Sequence, residues 1–577
     1  MSERKAIKSL LPVGMKSSTF VLLFVVIVLL VLLLNTTFRF LPIERVSGLD
    51  RVASLICSNY VDQIEKEKVI KDGITGMVAD LDPYSEYLDK KELRGLLEES
   101  KGEFQGVGLE IAIRNGYPTV VSPLEESPAY KAGIKAGDRI IEINGISTEG
   151  LSGDKAQQKI RGPKGSKVKM TILREGIAEP LEFNLIREVI EIRSVAFAGE
   201  IEDGIGYIRL IKFSENAPGE LSKALEDLKT KNITGLILDL RGNPGGLLPE
   251  AVGVTELFLD KGELIVKIKG RKASDTKKFY SQTQPIFDSL PLIVLVNYGS
   301  ASASEIVSGA IQDQDRGLIL GDTTFGKGAV QTLFELNNNT ALKLTTAKYY
   351  IPSGRLIQKE RKVEENLTVD SVGAQSRQGG MPLPPSKEKV YHTKKGRKVY
   401  GGGGVVPDMV IPDLAFPPLI QNLLQKQLFF DFAVHYTSSR SNSTVHRNIP
   451  EDFQADDKVL KEFKDFIKSK GFEYKTATES ELEKLKETLK EEKSSEPFSE
   501  GIKEGLNRLD YFINRQKEVD FEKNKELLKW QIEEAIKTKE FGSSERYKVW
   551  AKHQEQIKKA IEILKNKEEY ERMLSSP

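Results

Sequence analysis

Five successive patterns of apolar residues run along the chain, and the changes between them mark its domains. Between Lys16 and Arg39 lie 22 residues without a charge, including the unbroken apolar run Phe20 to Leu34. As a helix such a stretch reaches about 33 Å, enough to cross a hydrocarbon core of about 30 Å. It predicts a transmembrane anchor over residues 17–38. Arg4, Lys5, Lys8 and Lys16 precede it against Glu3 alone, so residues 1–16 are expected in the cytoplasm and the rest of the chain outside it. The stretch "LLLNTTFRF" lacks a small-x-small cleavage pattern, which favours an uncleaved anchor over a signal peptide. Residues 39–102 then carry Val52, Leu55, Ile56, Val61 and Ile64 at mixed three- and four-residue spacing, a helical segment interrupted by the Pro turn of "DLDPYSEYLDKKEL".

Residues 103–188 change to short strands and glycine turns. From 189 to 416 strands and helices alternate. "ITGLILDLRGNPGG" and "LPLIVLVNYGS" hold nearly continuous apolar runs ending in glycine turns, the pattern of buried strands in an α/β sheet. Within this region residues 360–400 are polar, Lys-rich and broken by "GGMPLPP" and "GGGG", and read as an insertion or mobile segment. Residues 417–577 are rich in Glu and Lys and form amphipathic helices such as "DDKVLKEFKDFIKSKGF" and "KELLKWQIEEAIK", whose apolar stripes need a partner surface. The fold class expected is multidomain α/β: an N-terminal anchor, a helical segment, a small β-rich domain, an α/β core and a C-terminal helical extension.

With 85 basic and 84 acidic residues, nothing in the overall charge of the 577-residue chain points to nucleic acid or to an acidic partner. The single cysteine, Cys57, excludes an internal disulfide and a cysteine-based metal cluster, and reads as a small apolar residue on an amphipathic helix.

Two stretches carry candidate chemistry. "GDTTFGKGAVQ" fits the first seven positions of the phosphate-binding pattern G-x-x-x-x-G-K-[ST] but places Gly328 at the eighth, where a magnesium-ligating hydroxyl belongs. The "AVQTLFEL" that follows alternates like a strand, whereas a phosphate loop opens into a helix. A nucleotide-binding role for Lys327 is therefore disfavoured. In "VLVNYGSASASEIVSGAIQD" a strand ends at Asn297, a Gly/Ser turn follows and a helix begins, the arrangement that exposes a nucleophilic serine. Ser300, Ser302 and Ser304 are equally good helix caps, and local sequence does not choose between the two roles. The histidines, His392, His435, His446 and His553, all lie beyond the α/β core, which argues against a Ser-His-Asp triad. Lysine serves as base if it is neutral, and bringing its pKa from about 10.4 to about 7 takes roughly 4 to 5 kcal/mol of differential destabilisation of the ammonium. Burial supplies that, and "TFGKGAVQ" places no acid beside Lys327.

"SPAYKAGIKAGDRIIEINGI" closely resembles the helix, turn and strand of a PDZ domain. The stretch "GSASASEIVSGAIQDQDRGLILGDTTFGKGAVQ" resembles the core of the carboxy-terminal processing, or tail-specific, serine proteases. Further matches include "GEFQGVGLEI", "IRGPKGSKV", "LILDLRGNPGGLL" and "LKLTTAKYYIPSGRLIQ", and run to about Pro412. The resemblance implies a Ser-Lys dyad with Ser302 as nucleophile, Lys327 as general base and Gln331 orienting the lysine. It also implies an oxyanion hole from the Ala303 amide and one of Gly245 or Gly246, with no metal and no cofactor. Gln105, Gly106, Val107 and Gly108 match the loop by which PDZ domains take up a C-terminal carboxylate. Arg161 matches a position proposed to couple the PDZ domain to the protease, against its plain reading as a surface arginine beside a turn. The expectation is a membrane-anchored, extracytoplasmic (periplasmic) endopeptidase acting on protein tails, with a homo-oligomer or an adaptor on the helices as possible partners. The rival is an inert PDZ adaptor.

Overall fold

The computed structural model describes residues 43–336, 339–359, 389–440, 449–491 and 498–575. The anchor expected over 17–38 and residues 1–16, expected in the cytoplasm, lie outside them. Among the described residues no helix is long and apolar enough to cross a membrane. The described residues form two compact units, one drawn from within 1–90 and 331–345, the other from within 91–330 and 346–577.

In the first unit helices α1 (Ile43–Asn59) and α2 (Lys66–Ala79) precede the short strand β1 (Glu86–Leu88). The predicted Pro turn is organised by Asp82, whose carboxylate accepts bonds from the Tyr84 and Ser85 amides and from the hydroxyls of Ser85 and Thr345 at 2.8–3.1 Å. Strand β1 pairs antiparallel with residues 341–343.

The second unit begins with α3 (Lys90–Lys101) and a small β-rich domain. Its sheet contains β3 (Leu109–Arg114), β4 (Tyr117–Pro123), β5 (Arg139–Ile143), β7 (Lys167–Leu173) and β8 (Leu181–Ile186) in that order, with β6 (Ile146–Ser147) on β5. Strands β2 (Glu103–Gly106) and β9 (Glu188–Glu191) pair separately and close the domain. Helix α4 (Pro128–Lys131) is capped by Ser127, and α5 (Gly153–Ile160) lies beside β3, which is an edge strand of the sheet. Val120, Ile140, Val168, Met170 and Ile172 fill the core.

The α/β core is a six-stranded sheet in the order β10 (Val195–Glu202), β11 (Ile205–Leu210), β12 (Gly235–Asp239), β15 (Leu292–Val296), β16 (Leu318–Gly321), β21 (Met409–Val410). All its pairs are parallel except that of β10 with β11. Strands β12 and β15 are buried at every residue, so both faces of the sheet are covered, as their continuous apolar sequence requires. On one face Leu236, Leu238, Val294 and Val296 meet α6 (Ala217–Lys229), α7 (Leu248–Glu256) and α8 (Ala303–Asp313). Strands β13 (Leu264–Gly270) and β14 (Lys277–Tyr280) pair at its side, and β13 continues into residues 347–350 of β18 (Ala341–Tyr350), the partner of β17 (Ala329–Glu335).

Part of the segment expected to be mobile is ordered. Residues 389–400 form the hairpin β19 (Val390–His392) and β20 (Lys398–Tyr400), fixed by buried Arg397, which donates to Asp315, Asp408 and the Gln312 carbonyl. Of its basic residues, Arg397 is held in a buried ion-pair network.

The C-terminal helices are α9 (Pro418–Gln425), α10 (Leu428–Ser438), α11 (Asp457–Ser469), α12 (Ala477–Glu491), α13 (Phe498–Lys523), α14 (Lys525–Phe541), α15 (Ser544–His553), α16 (Glu555–Lys565) and α17 (Lys567–Ser575). The stripes of α9, α10, α11 and α14 pack on one another through Phe429, Phe432, Phe463 and Ile532. Those of α16 and α17 have a different partner. Ile557, Ala560, Ile561, Leu564 and Tyr570 cover Ile237, Ile293, Leu295 and Leu320, the second face of the core sheet. The extension is therefore not a separate appendage: its last helices are the missing layer of the α/β core.

Candidate active site

The site gathers at the C-terminal ends of β12 and β15, where parallel α/β sheets open toward ligands. The turn after β15 is held from below by hydrogen bonds to the loop after β12. Ser300 Oγ donates to the Leu240 carbonyl at 2.8 Å, the Ala301 amide to the Asn243 carbonyl at 3.0 Å and Ser304 Oγ to the same carbonyl at 2.9 Å. The hydroxyls of Ser300 and Ser304 are thus spent on carbonyls of the scaffold, and both residues are buried. Ser302, between them, is half-buried, and its backbone lies at φ 54°, ψ −109°, a conformation unusual for a residue with a side chain. These bonds distinguish Ser302 from Ser300 and Ser304, which local sequence alone does not.

Glu305, one turn into α8, was not singled out from sequence. It is wholly buried and receives four donors: the Ser302 amide at 2.8 Å, the Lys327 amide at 2.9 Å, the Gly326 amide at 2.8 Å and the Thr324 hydroxyl at 2.5 Å. Burial pushes its carboxyl above the usual range, and these four bonds pull in the opposite direction. One carboxylate thereby ties the turn of Ser302 to the loop of Lys327. The S-x-x-E spacing of a capping box was its available signal.

Lys327 lies half-buried on the 322–328 loop, between β16 and β17. Its carbonyl accepts a bond from the Tyr349 hydroxyl. Strand β17 follows directly, so this glycine-rich loop opens no helix and offers no phosphate cradle. Gln331 is on β17, in the smaller unit, where its side-chain amide donates to Thr345 Oγ1 at 3.3 Å and Thr345 in turn donates to Asp82.

Gly245 and Gly246 have φ of 102° and 153°. The Gly245 amide donates to Asn243 Oδ1 at 2.9 Å, and a Cβ on Gly245 would stand 2.9 Å from the Ala303 amide nitrogen and 3.0 Å from Ser302 Cβ. The space that this glycine leaves open therefore adjoins both Ser302 and the first amide of α8. Beneath it Asp239, wholly buried, accepts bonds from Tyr207, Arg209 and Arg241. Burial opposes its charge, but the two guanidinium groups prevail and hold its carboxyl far below the ordinary range.

In the β-rich domain Gly106, Val107 and Gly108 are buried in the turn between β2 and β3. Gly108 has φ 77°, and a Cβ there would lie 2.2 Å from Ser127 Cβ, so only glycine fits. Gln105 precedes the turn on β2 and accepts a bond from the Lys164 amide at 3.0 Å. Arg161 is no free surface arginine: it ends α5, stacks over Phe104 and pairs with Glu98 of α3. The described histidines lie elsewhere: His392 on β19, His435 on α10 against Glu175, and His553 on α15 stacked on Trp530.

The chain combines a serine-type peptidase core with a PDZ domain. Residues 204–369 match the model of peptidase family S41, 119–174 that of a PDZ domain, 419–564 that of a probable PDZ-protease C-terminal helical domain and 36–92 that of the activating protease CtpB N-terminal domain. The chain is 44% identical over 305 residues to a carboxy-terminal-processing protease of Bartonella bacilliformis, an alignment covering 52% of this chain and 70% of that protein. It is 38% identical over 324 residues to the carboxy-terminal processing protease CtpB of Bacillus subtilis, covering 55% and 67%. Among solved structures, a photosystem II D1 C-terminal processing protease is 28% identical over 54% of this chain and 89% of its own, with a TM-score of 0.32. The chain belongs to the carboxy-terminal processing proteases of peptidase family S41.

Proposed function

We propose that this peptidase cuts protein tails with a Ser302–Lys327 dyad through an acyl-enzyme. Neutral Lys327 takes the proton of Ser302 Oγ as the oxygen attacks the scissile carbonyl, then gives it to the leaving amine. Water, activated by the same lysine, releases the acyl group. The single observation that carries the reading is the Glu305 carboxylate, which binds the amides of Ser302 and Lys327 at once and leaves Ser302 in a strained turn. Gln331 is assigned to orient the lysine. The oxyanion is assigned to the amides of Ala303 and Gly246, because the Gly245 amide already serves Asn243.

A tail would add as a strand to the open edge of β3 against α5, its carboxylate at Gly106–Gly108. Arg161 would report its arrival. It holds α3 through Glu98, the Ser100 carbonyl of α3 accepts the Glu215 amide, and the nearby Phe213 amide binds the Gly245 carbonyl. Residues 17–38 are proposed to anchor the enzyme in the inner membrane with its domains on the periplasmic side, on the strength of their uncharged length and basic flank.

The test is Ser302→Ala and Lys327→Ala in the full chain with an unstructured protein substrate. Cleavage should vanish in both while binding of a C-terminal peptide persists; cleavage that survives Ser302→Ala defeats the dyad.

A further inference from the structure

Gln556, in the first turn of α16, is a buried polar residue on the helical layer that covers the core sheet. Its neighbours Ile557, Ala560, Ile561 and Leu564 are apolar, as a covering role requires, yet Gln556 is itself only 3% exposed. An amide buried in such a layer is costly unless both ends are bonded. Both are. Its Oε1 accepts from Arg241 Nη1 at 2.6 Å, and its Nε2 donates to the Ile411 carbonyl at 2.6 Å and to Asp413 Oδ1 at 3.0 Å.

The bonds continue beyond it. Asp413 Oδ2 accepts from Asn297 Nδ2 at 2.8 Å, and Asn297 Oδ1 accepts from the amides of Gly242 at 2.8 Å and Gly299 at 3.0 Å. Gly242 follows Arg241 in the chain, so the series closes into a ring of Arg241, Gln556, Asp413 and Asn297. Two arcs of that ring are the loop leading to Gly245 and Gly246 and the turn leading to Ser302.

We propose that Gln556 is a positioning residue for proteolysis: by closing this ring it sets the oxyanion loop against the Ser302 turn, making the C-terminal helices a working part of the active site. This rests on the assignment of Ser302 and the oxyanion loop above. Arg241 remains paired with Asp239 when Gln556 is replaced, so the charge is not orphaned and the variant is expected to fold.

The experiment uses the full chain with Gln556→Leu, Gln556→Glu, Gln556→Glu combined with Asp413→Asn, and Lys558→Ala on the exposed side of the same helix as control. Hydrogen exchange at the Gly242 and Gly299 amides and the steady-state constants on an unstructured protein are read together, with thermal unfolding as the check on folding. Gln556→Leu should speed exchange at both amides about tenfold and lower kcat by about 10- to 100-fold, with KM within about twofold. Gln556→Glu loses the donor to Ile411 and faces Asp413 with a like charge; adding Asp413→Asn restores a donor and should recover part of kcat. Lys558→Ala should match wild type. Unchanged exchange at both amides, unchanged kcat in Gln556→Leu, or no recovery in the paired variant overturns the proposal. If wild type cleaves nothing, the dyad reading fails, and the exchange data still decide whether Gln556 holds the two segments.

Discussion

Glu305 joins two segments that are 22 residues apart in sequence, from Glu305 to Lys327, and does so with acceptors alone. Each of its oxygens receives two donors, so an amide in its place must turn its NH2 toward two of them. Glu305→Gln is expected to cost about 2–4 kcal/mol of stability, the penalty of buried donors left unpaired, and to depress kcat. Urea unfolding and turnover on a disordered substrate measure the two effects. Gly245→Ala works in the opposite way, by adding an atom. At φ 102° the new Cβ would meet the Ala301 carbonyl at 2.8 Å and the Ala303 amide at 2.9 Å, filling the space assigned to the oxyanion. Turnover should fall by about 10²- to 10³-fold while peptide binding to the PDZ domain stays unchanged, as isothermal titration would report. Ser302 and Lys327 are reached from sequence through the family resemblance of the stretches around them, since strand, turn and helix alone leave Ser300, Ser302 and Ser304 equal. Glu305, Asp239 and Asn243 could not be ranked in the same way: an acid or an amide gains its role from what surrounds it, and their partners come from distant strands.

At the scale of elements, the strands of the core were legible because burial on both faces leaves an unbroken apolar run, as in "GLILD" and "LIVLV". The helices of the extension were equally legible as amphipathic, but an apolar stripe does not name its partner. Only the folded chain sends α9, α10, α11 and α14 to one another and α16 and α17 to the core sheet. Helix α10 has a further attachment. Arg114, at the end of β3, pairs with Asp431 and Gln427 and lies over the Phe430 ring at 4.2 Å, and Gly137 has no room for a Cβ beside Val434. The edge strand assigned to the tail is thus pinned at its far end by the helical domain. Arg114→Ala leaves Asp431 without its principal cation and is expected to destabilise the contact by about 2 kcal/mol. Faster hydrogen exchange across Leu109–Arg114 and α10, with β12 and β15 unchanged, would verify it.

For the molecule as a whole, two buried carboxyls set opposite responses to pH. Asp239 titrates far lower when folded than in the unfolded chain, so its stabilisation is complete above about pH 4 and is lost as the pH falls below that value. Glu305 titrates higher when folded; its contribution is greatest below the ordinary Glu range and declines as the pH rises through the folded value. Thermal unfolding between pH 3 and pH 6 should therefore show an acid limb that Asp239→Asn flattens and a shallow decline above about pH 4.5 that Glu305→Gln removes. A wild-type midpoint independent of pH over this range would contradict both assignments.

The amino-acid sequence by itself made the buried strands and the PDZ-like turn legible and pointed, through a family resemblance, to Ser302 and Lys327. Each of these depends on residues close together in the chain, where periodicity, glycine and local spacing act directly. What only the tertiary structure decided is that Ser300 and Ser304 bond to the scaffold, which carboxylate joins the Ser302 turn to the Lys327 loop, and that the last two helices roof the sheet. Those outcomes depend on hydrogen-bond geometry and on the pairing of apolar surfaces between segments hundreds of residues apart, and neither leaves a trace in local sequence.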